Sequence, residues 1–176
     1  NCEQLTELSK EFGFDLVRLD EICENDSPIS STKIRNALKS GDIDYVNKAL
    51  GHSFSLSGEV VHGDKLGRRL GFPTANLQIE PYKLIPKNGV YAVKLKLENQ
   101  NYLGLMSIGY RETVTDSREL RVEVNIIDFE GDLYGQQLTV DVLDYIREEK
   151  KFDSLDDLIQ AMNADKAYAL SRFKTK

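Results

Sequence analysis

The sequence predicts a mainly β protein: a small antiparallel β-barrel closed by a C-terminal α-helix and preceded by a short α/β fragment. Two observations carry this. From residue 53 onward apolar side chains recur every second position in run after run, separated by short turn signals, which is the pattern of half-buried strands joined by hairpins. Before residue 50 they recur at helical spacing instead, around one short apolar run. A boundary near residue 50 follows, dividing the chain into 1–50 and 51–176.

In the first part, Leu5, Leu8 and Phe12 fall on one helix face and Gly13 follows where a helix commonly stops. Residues 14–19, Phe-Asp-Leu-Val-Arg-Leu, read as a strand. Residues 29–35, Ile-Ser-Ser-Thr-Lys-Ile-Arg, open a second helix with Ser30 or Ser31 as N-cap and Gly41 past its end. Asp42 caps a third helix that runs to about Leu50.

In the second part, Val60 and Val61 lie in a first strand and Phe72 to Ile79 in a second. Residues 82–89 are rich in turn formers. Val90 to Leu97 alternates, with Tyr91, Val93, Leu95 and Leu97 on one face and Lys94 and Lys96 on the other, and Glu98 to Asn101 turns the chain into a return strand, Tyr102 to Gly109. A polar loop over 110–118 leads to a strand ending at Phe129, with Leu120, Val122, Val124 and Ile126 inward and Arg121, Glu123 and Asn125 outward. After the Glu130-Gly131-Asp132 turn, Leu138, Val140 and Val142 alternate again. Short strands with local connections favour a closed barrel, which leaves no open sheet edge. Ser154 and Asp157 then start a helix whose stripe of Leu155, Leu158, Ile159, Met162, Ala169, Leu170 and Phe173 is expected to pack on the barrel.

With 23 basic and 29 acidic side chains the net charge is −6, and residues 51–176 carry 17 basic against 19 acidic, which disfavours nucleic-acid binding, an oligonucleotide-binding barrel included. Cys2 and Cys23 form no paired motif, so no disulfide framework or zinc site is expected. No apolar run approaches the ~20 residues of a bilayer span and the start is too polar for a signal peptide, so a cytoplasmic protein without membrane contact is expected. The start at Asn1, inside an α/β pattern, reads as a cut or processed end.

The chemistry-bearing stretch is 58–77. Gly63, Gly67 and Gly71 recur every four residues, where bare backbone amides can face an anion, and Lys65, Arg68 and Arg69 add cations to the same segment. Glycines at this spacing are by themselves more often plain turns, and neither the Walker pattern nor Gly-x-Gly-x-x-Gly is present. Pro73 stops any helix, leaving Thr74 and Asn76 on extended backbone with side chains on one face, two hard oxygen donors of the kind Mg²⁺ accepts beside nucleotide phosphates.

The string from Gly67 to Asn76, Gly-Arg-Arg-Leu-Gly-Phe-Pro-Thr-Ala-Asn, resembles the defining segment of riboflavin kinases. The later segments 86–92, 107–109, 122–129, 132–135 and 146–155 follow in that family's order. The resemblance runs from about Gly58 to Phe173. It implies a Greek-key-type barrel that phosphorylates the ribityl 5′-hydroxyl of riboflavin with ATP and Mg²⁺, giving FMN and ADP as the first step of FAD synthesis. It further implies Glu123 as the catalytic carboxylate and Thr74 and Asn76 as metal ligands. Gly63, Lys65, Gly67, Arg68, Arg69, Gly71 and Pro73 would surround the ATP phosphates, and Arg147 and Phe152 would lie beside the flavin. From local sequence alone, a glutamate on a polar strand face is usually just a solvated charge.

Residues 29–35 are similar to the closing motif of nucleotidyltransferase-class adenylyltransferases, in which Ser30, Ser31, Thr32 and Arg35 would hold nucleotide phosphate. Local sequence alone favours ordinary helix capping there. The His-x-Gly-His-type segment of such enzymes is absent, so 1–50 reads as the inactive tail of an FMN adenylyltransferase domain. The chain departs from the common bacterial form at Glu112 in Arg111-Glu112-Thr113 and at Asn125, where histidine is frequent. A monomer acting on riboflavin and ATP is expected; the alternative is a non-catalytic flavin- or nucleotide-binding barrel.

Overall fold

The structure, a computed structural model, describes residues 2–17, 20–24, 27–63, 72–112 and 118–173. It divides into two compact units, Asn1–Ser30 and Ser31–Lys176.

The first unit holds helix α1 (Cys2–Phe12), followed by Gly13, and a short hairpin of β1 (Cys23–Glu24) and β2 (Ser27–Pro28). Leu5, Leu8, Phe12, Phe14, Leu16, Val17 and Ile22 are exposed in it. The expected strand over 14–19 does not form where the structure describes it: residues 14–17 are irregular, and among the described residues no strand pairs with them. Residues 18 and 19 lie outside the described set. Cys2 and Cys23 are free thiols.

The second unit begins with α2 (Ser31–Ser40) and α3 (Ile43–Leu50). Asp42 caps α3 by accepting from the Tyr45 amide at 3.1 Å, and Gly51 ends it at φ +73°, a left-handed turn that a residue without Cβ takes without strain. These helices pack against the barrel. Ala37, Leu38, Ile43 and Val46 are buried in the same apolar cluster as the barrel interior. The Lys87 amide donates to the Leu38 carbonyl at 2.9 Å, and the Asn47 amide group donates to the Val142 carbonyl at 2.9 Å. The compact unit therefore starts some twenty residues before the boundary read from the change of periodicity, since helical periodicity by itself does not say which core a helix covers.

The barrel consists of β3 (Ser55–Val61), β4 (Thr74–Ile79), β5 (Gly89–Leu97), β6 (Gln100–Glu112), β7 (Arg118–Ile126) and β8 (Gln137–Arg147). All neighbours are antiparallel, and the closed order is β3-β4-β7-β6-β5-β8, so β4 skips its sequence neighbour to pair with β7. That crossover brings the two halves of the site together. Leu56, Val60, Leu77, Tyr91, Val93, Leu95, Met106, Ile108, Val122, Val124, Val140 and Val142 fill the interior. The expected loop over 110–118 is partly strand: β6 runs to Glu112 and β7 starts at Arg118, paired through Tyr110–Leu120, Arg111–Glu119 and Glu112–Arg118. Continued backbone pairing overrides the polar composition that suggested a loop.

Helix α4 (Leu155–Phe173) follows. Ser154 Oγ accepts from the Asp157 amide at 3.1 Å, the expected cap. Ala169, Leu170 and Phe173 pack with Ala92, Leu103, Leu105, Ile127, Leu143 and Ile146 on the outer face of the sheet, so β5 is covered on both sides. Leu155, placed in the packing stripe by its spacing, is 58% exposed, for it stands in the first turn, before the part of the stripe that packs on the sheet.

Candidate active site

β4 begins at Thr74 because Pro73, lacking an N–H, cannot join the ladder. Across the β4–β7 ladder Thr74 faces Asn125, Ala75 faces Val124 and Asn76 faces Glu123. Val122 and Val124 point inward and are buried, which turns Arg121, Glu123 and Asn125 to the outer face, together with Thr74 and Asn76. Two residues from each strand thus form a block of hydroxyl, carboxamide, carboxylate and carboxamide, with directly opposed Cβ atoms about 5 Å apart.

Within this block Thr74 Oγ1 lies 3.5 Å from Glu123 Oε2. Arg121 Nη1 donates to Glu123 Oε1 at 3.3 Å. Asn125 Nδ2 donates to the Pro73 carbonyl at 2.8 Å. Gly63 comes close to the same block: a Cβ there would overlap the Asn76 carboxamide, so with any other residue that side chain or the backbone would have to shift. Of the other expected phosphate-binding residues, Pro73 is exposed, and Lys65, Gly67, Arg68, Arg69 and Gly71 lie outside the described residues.

A cavity of about 280 Å³ opens beside Thr74, lined by Val60, Ala75, Val124, Ile126, Phe129 and Tyr134 among others. The Asp132-Leu133-Tyr134-Gly135 turn forms its rim. Asp132 Oδ1 accepts from the Tyr134 amide at 3.1 Å, and the Gly135 amide donates to Val60 at 2.9 Å. The Tyr134 ring stacks at 3.9 Å on that of His62, next to Gly63. The sequence segment 132–135 marked the region without assigning it a wall.

Arg147 and Phe152 do meet, the guanidinium carbon lying 5.6 Å from the centre of the ring. The same guanidinium is held by Asp165 of α4, with Nε at 3.0 and 3.1 Å and Nη2 at 2.8 Å from the carboxylate, and its Nη1 donates to the Glu148 carbonyl at 3.0 Å. Asp165 is only 5% exposed and was not singled out in the sequence, although an acid on the Met162–Ala169 face of an otherwise apolar stripe signals a buried partner. Lys87 Nζ reaches Glu148 at 3.0 Å; that contact raises the Lys87 pKa and lowers that of Glu148. Glu149 lies against Gly109, where a Cβ would meet its carboxylate. The 147–152 segment is thereby fixed at the open end of β8.

Ser31, Thr32 and Arg35 are exposed in the first turns of α2, and Ser30 precedes it. Among the described residues no group of three or more His, Cys, Asp or Glu side chains is arranged to hold a metal. The donor set at β4 and β7, a hydroxyl, a carboxamide oxygen and a carboxylate, suits a hard cation that keeps most of its ligands from water and phosphate, as Mg²⁺ does.

A closed six-stranded barrel thus carries an oxygen-donor block on one face of β4 and β7, a glycine close above it and a cavity of mixed polarity beside it. The riboflavin kinase family (Flavokinase) matches residues 50–173, and the chain belongs to that family. It is 38% identical over 164 residues to the bifunctional riboflavin kinase/FMN adenylyltransferase of Listeria monocytogenes, covering 92% of this chain and 52% of that protein. To the protein of the same description from Escherichia coli K12 it is 40% identical over 170 residues, covering 96% and 54%. The chain thus spans about half the length of these curated relatives. A crystal structure from Streptococcus pneumoniae, described as a macrolide-efflux protein, superposes with a TM-score of 0.85 at 37% identity, over 93% of this chain and 54% of that one. No helix among the described residues is long and apolar enough to cross a membrane.

Proposed function

We propose that residues 51–176 transfer the γ-phosphoryl group of ATP to the ribityl 5′-hydroxyl of riboflavin, forming FMN and ADP, and that residues 1–50 are the C-terminal part of an FMN adenylyltransferase domain. The observation that carries this reading is the register that sets Thr74 and Asn76 directly against Asn125 and Glu123. A Mg²⁺ ion at Thr74 and Asn76 would neutralise phosphate oxygens as charge shifts during transfer.

The chain's own residues then have distinct tasks. Glu123 accepts the proton of the attacking hydroxyl. Its ordinary carboxylate basicity toward an alcohol is weak, so most of the benefit comes from holding that hydroxyl in line with phosphorus. Arg121 keeps the Glu123 carboxylate oriented. Gly63 lets backbone amides approach the phosphates, and the cavity under Tyr134 accepts the flat apolar faces of the adenine base. Arg147 and Phe152 form the edge against which the flavin rests, with Arg147 acting through its hold on the segment. Ser30, Ser31, Thr32 and Arg35 belong to the phosphate-binding end of the adenylyltransferase part.

The test is incubation of the chain with riboflavin, ATP and Mg²⁺, followed by chromatographic separation of the flavins. FMN and ADP in equal amounts are expected. Binding of riboflavin or ATP with no FMN would turn the assignment to a non-catalytic binding barrel, and any FAD would overturn the expectation that residues 1–50 do not carry adenylyl transfer.

A further inference from the structure

Asn125 and Asp165 are the two buried polar or charged residues among those described, and Asp165 has its ion pair. Asn125 is 7% exposed, and its Nδ2 donates at 2.8 Å to the carbonyl of Pro73, fifty-two residues earlier in the chain. Pro73 is the residue at which β4 has not yet entered the ladder, so its carbonyl receives no strand partner from the β4–β7 register, which starts at Thr74 and Asn125 themselves. The Asn125 side chain thus continues the ladder one step beyond its backbone. It does so beside the hydroxyl of Thr74 and two residues from Glu123 on the same face.

From this geometry we propose that Asn125 is a positioning residue for the nucleotide–metal site: by holding the Pro73 carbonyl it sets the backbone of Thr74 and hence the spacing of the Thr74 and Asn76 oxygens. The inference rests on the reading of Thr74 as metal-facing. An amide can do this where it is buried on the outer face of the sheet, because it donates one hydrogen bond to a carbonyl without bringing a charge next to Glu123. A leucine of similar volume would fill the space and leave the Pro73 carbonyl without its donor. A histidine ring N–H can replace the donor.

The experiment compares steady-state constants for Mg·ATP and for riboflavin in the full chain, with melting temperatures alongside. Asn125→Leu is expected to raise KM for Mg·ATP about five- to tenfold, the range of one neutral hydrogen bond, with KM for riboflavin changed less than about twofold. Asn125→His is expected to recover most of that loss. If Asn125→Leu does not fold, Asn125→Ala, which removes the donor without adding a charge, carries the same comparison. Unchanged constants overturn the proposal, as does a loss that affects both substrates alike, follows the melting temperature and is not recovered by histidine. Thr74→Val separates the premises: if it leaves the Mg·ATP dependence unchanged, the metal-facing reading fails and the proposal with it. If it raises that KM while Asn125→Leu does not, the role of Asn125 alone fails.

Discussion

Asn76 of β4 stands directly opposite Glu123 of β7, and Thr74, two residues back on the same face, reaches to 3.5 Å from the Glu123 carboxylate. A metal-bound phosphate at Thr74 and Asn76 and a hydroxyl at Glu123 would therefore lie side by side on one face of the sheet. In Glu123→Gln the shape and one hydrogen-bond acceptor survive while the proposed base is removed. The expected result is a fall in kcat of about 100-fold or more with both KM values within about threefold, measured by FMN formation at saturating substrate. A variant with near-normal kcat would move the base elsewhere.

Gly63 is the second test of this face. A methyl group there meets the Asn76 carboxamide, so in Gly63→Ala either the loop withdraws or Asn76 rotates away. With Asn76 as the proposed metal ligand, either change is expected to weaken nucleotide binding. KM for Mg·ATP is expected to rise at least tenfold with little change in melting temperature, since the position lies beyond the end of β3. Titration calorimetry with ADP and Mg²⁺ provides the direct check.

Most of this face was legible in the sequence because strand alternation is a short-range property: Arg121, Glu123 and Asn125 had to share one side, as did Thr74 and Asn76. That Thr74 and Asn76 oppose Asn125 and Glu123 was not legible from alternation, because it depends on β4 pairing with β7 across two intervening strands. The same limit explains the others. The place of Asp165 in an apolar stripe signals a buried partner but not which one, because Arg147 lies eighteen residues earlier on a different element. Helices α2 and α3 were assigned by their period to what precedes them, whereas Leu38, Ile43 and Val46 are buried in the barrel's own core.

The Arg147–Asp165 pair separates stability from activity. Removing the carboxylate in Asp165→Ala leaves a guanidinium that is about four-fifths buried, which costs on the order of 3 kcal/mol, or roughly 6–12 °C in melting temperature for a domain of this size. Joint replacement, Arg147→Met with Asp165→Leu, removes both charges and should regain much of that stability. Activity should not return with it, because Arg147 also holds the Glu148 carbonyl and stacks on Phe152. Melting curves and riboflavin KM on the same preparations give both readings.

Tyr91 links the interior to alkaline stability. Its ring is fully buried, its hydroxyl donates to the Lys87 carbonyl, and burial first, then the charge of nearby Tyr145, raises its pKa far above the usual phenol range. In the unfolded chain it ionises near 10, so between that point and the folded value the unfolded state alone releases the proton. Stability from this group is complete below pH 10 and is lost as pH rises beyond it. Urea unfolding at pH 9 and pH 11 should show a drop that is smaller in Tyr91→Phe, which in return loses about 1 kcal/mol at pH 7 with its hydrogen bond.

Residues 31–50 provide the last test, because they lie almost wholly before the family match, which begins at residue 50, yet within the compact unit that begins at Ser31. Truncation to 51–176 would uncover the surface that Leu38, Ile43 and Val46 bury and remove the Asn47 carboxamide from between Phe54 and Val142. Three such side chains at about 1.5–3 kcal/mol each come to several kcal/mol, comparable with the whole stability of an ordinary domain. The 51–176 fragment is therefore expected to be largely unfolded or aggregated at 37 °C, whereas 31–176 melts cooperatively near the full chain. Circular dichroism melts of the two fragments decide it, and a 51–176 fragment as stable as 31–176 would mean that α2 and α3 rest on the barrel without supporting it.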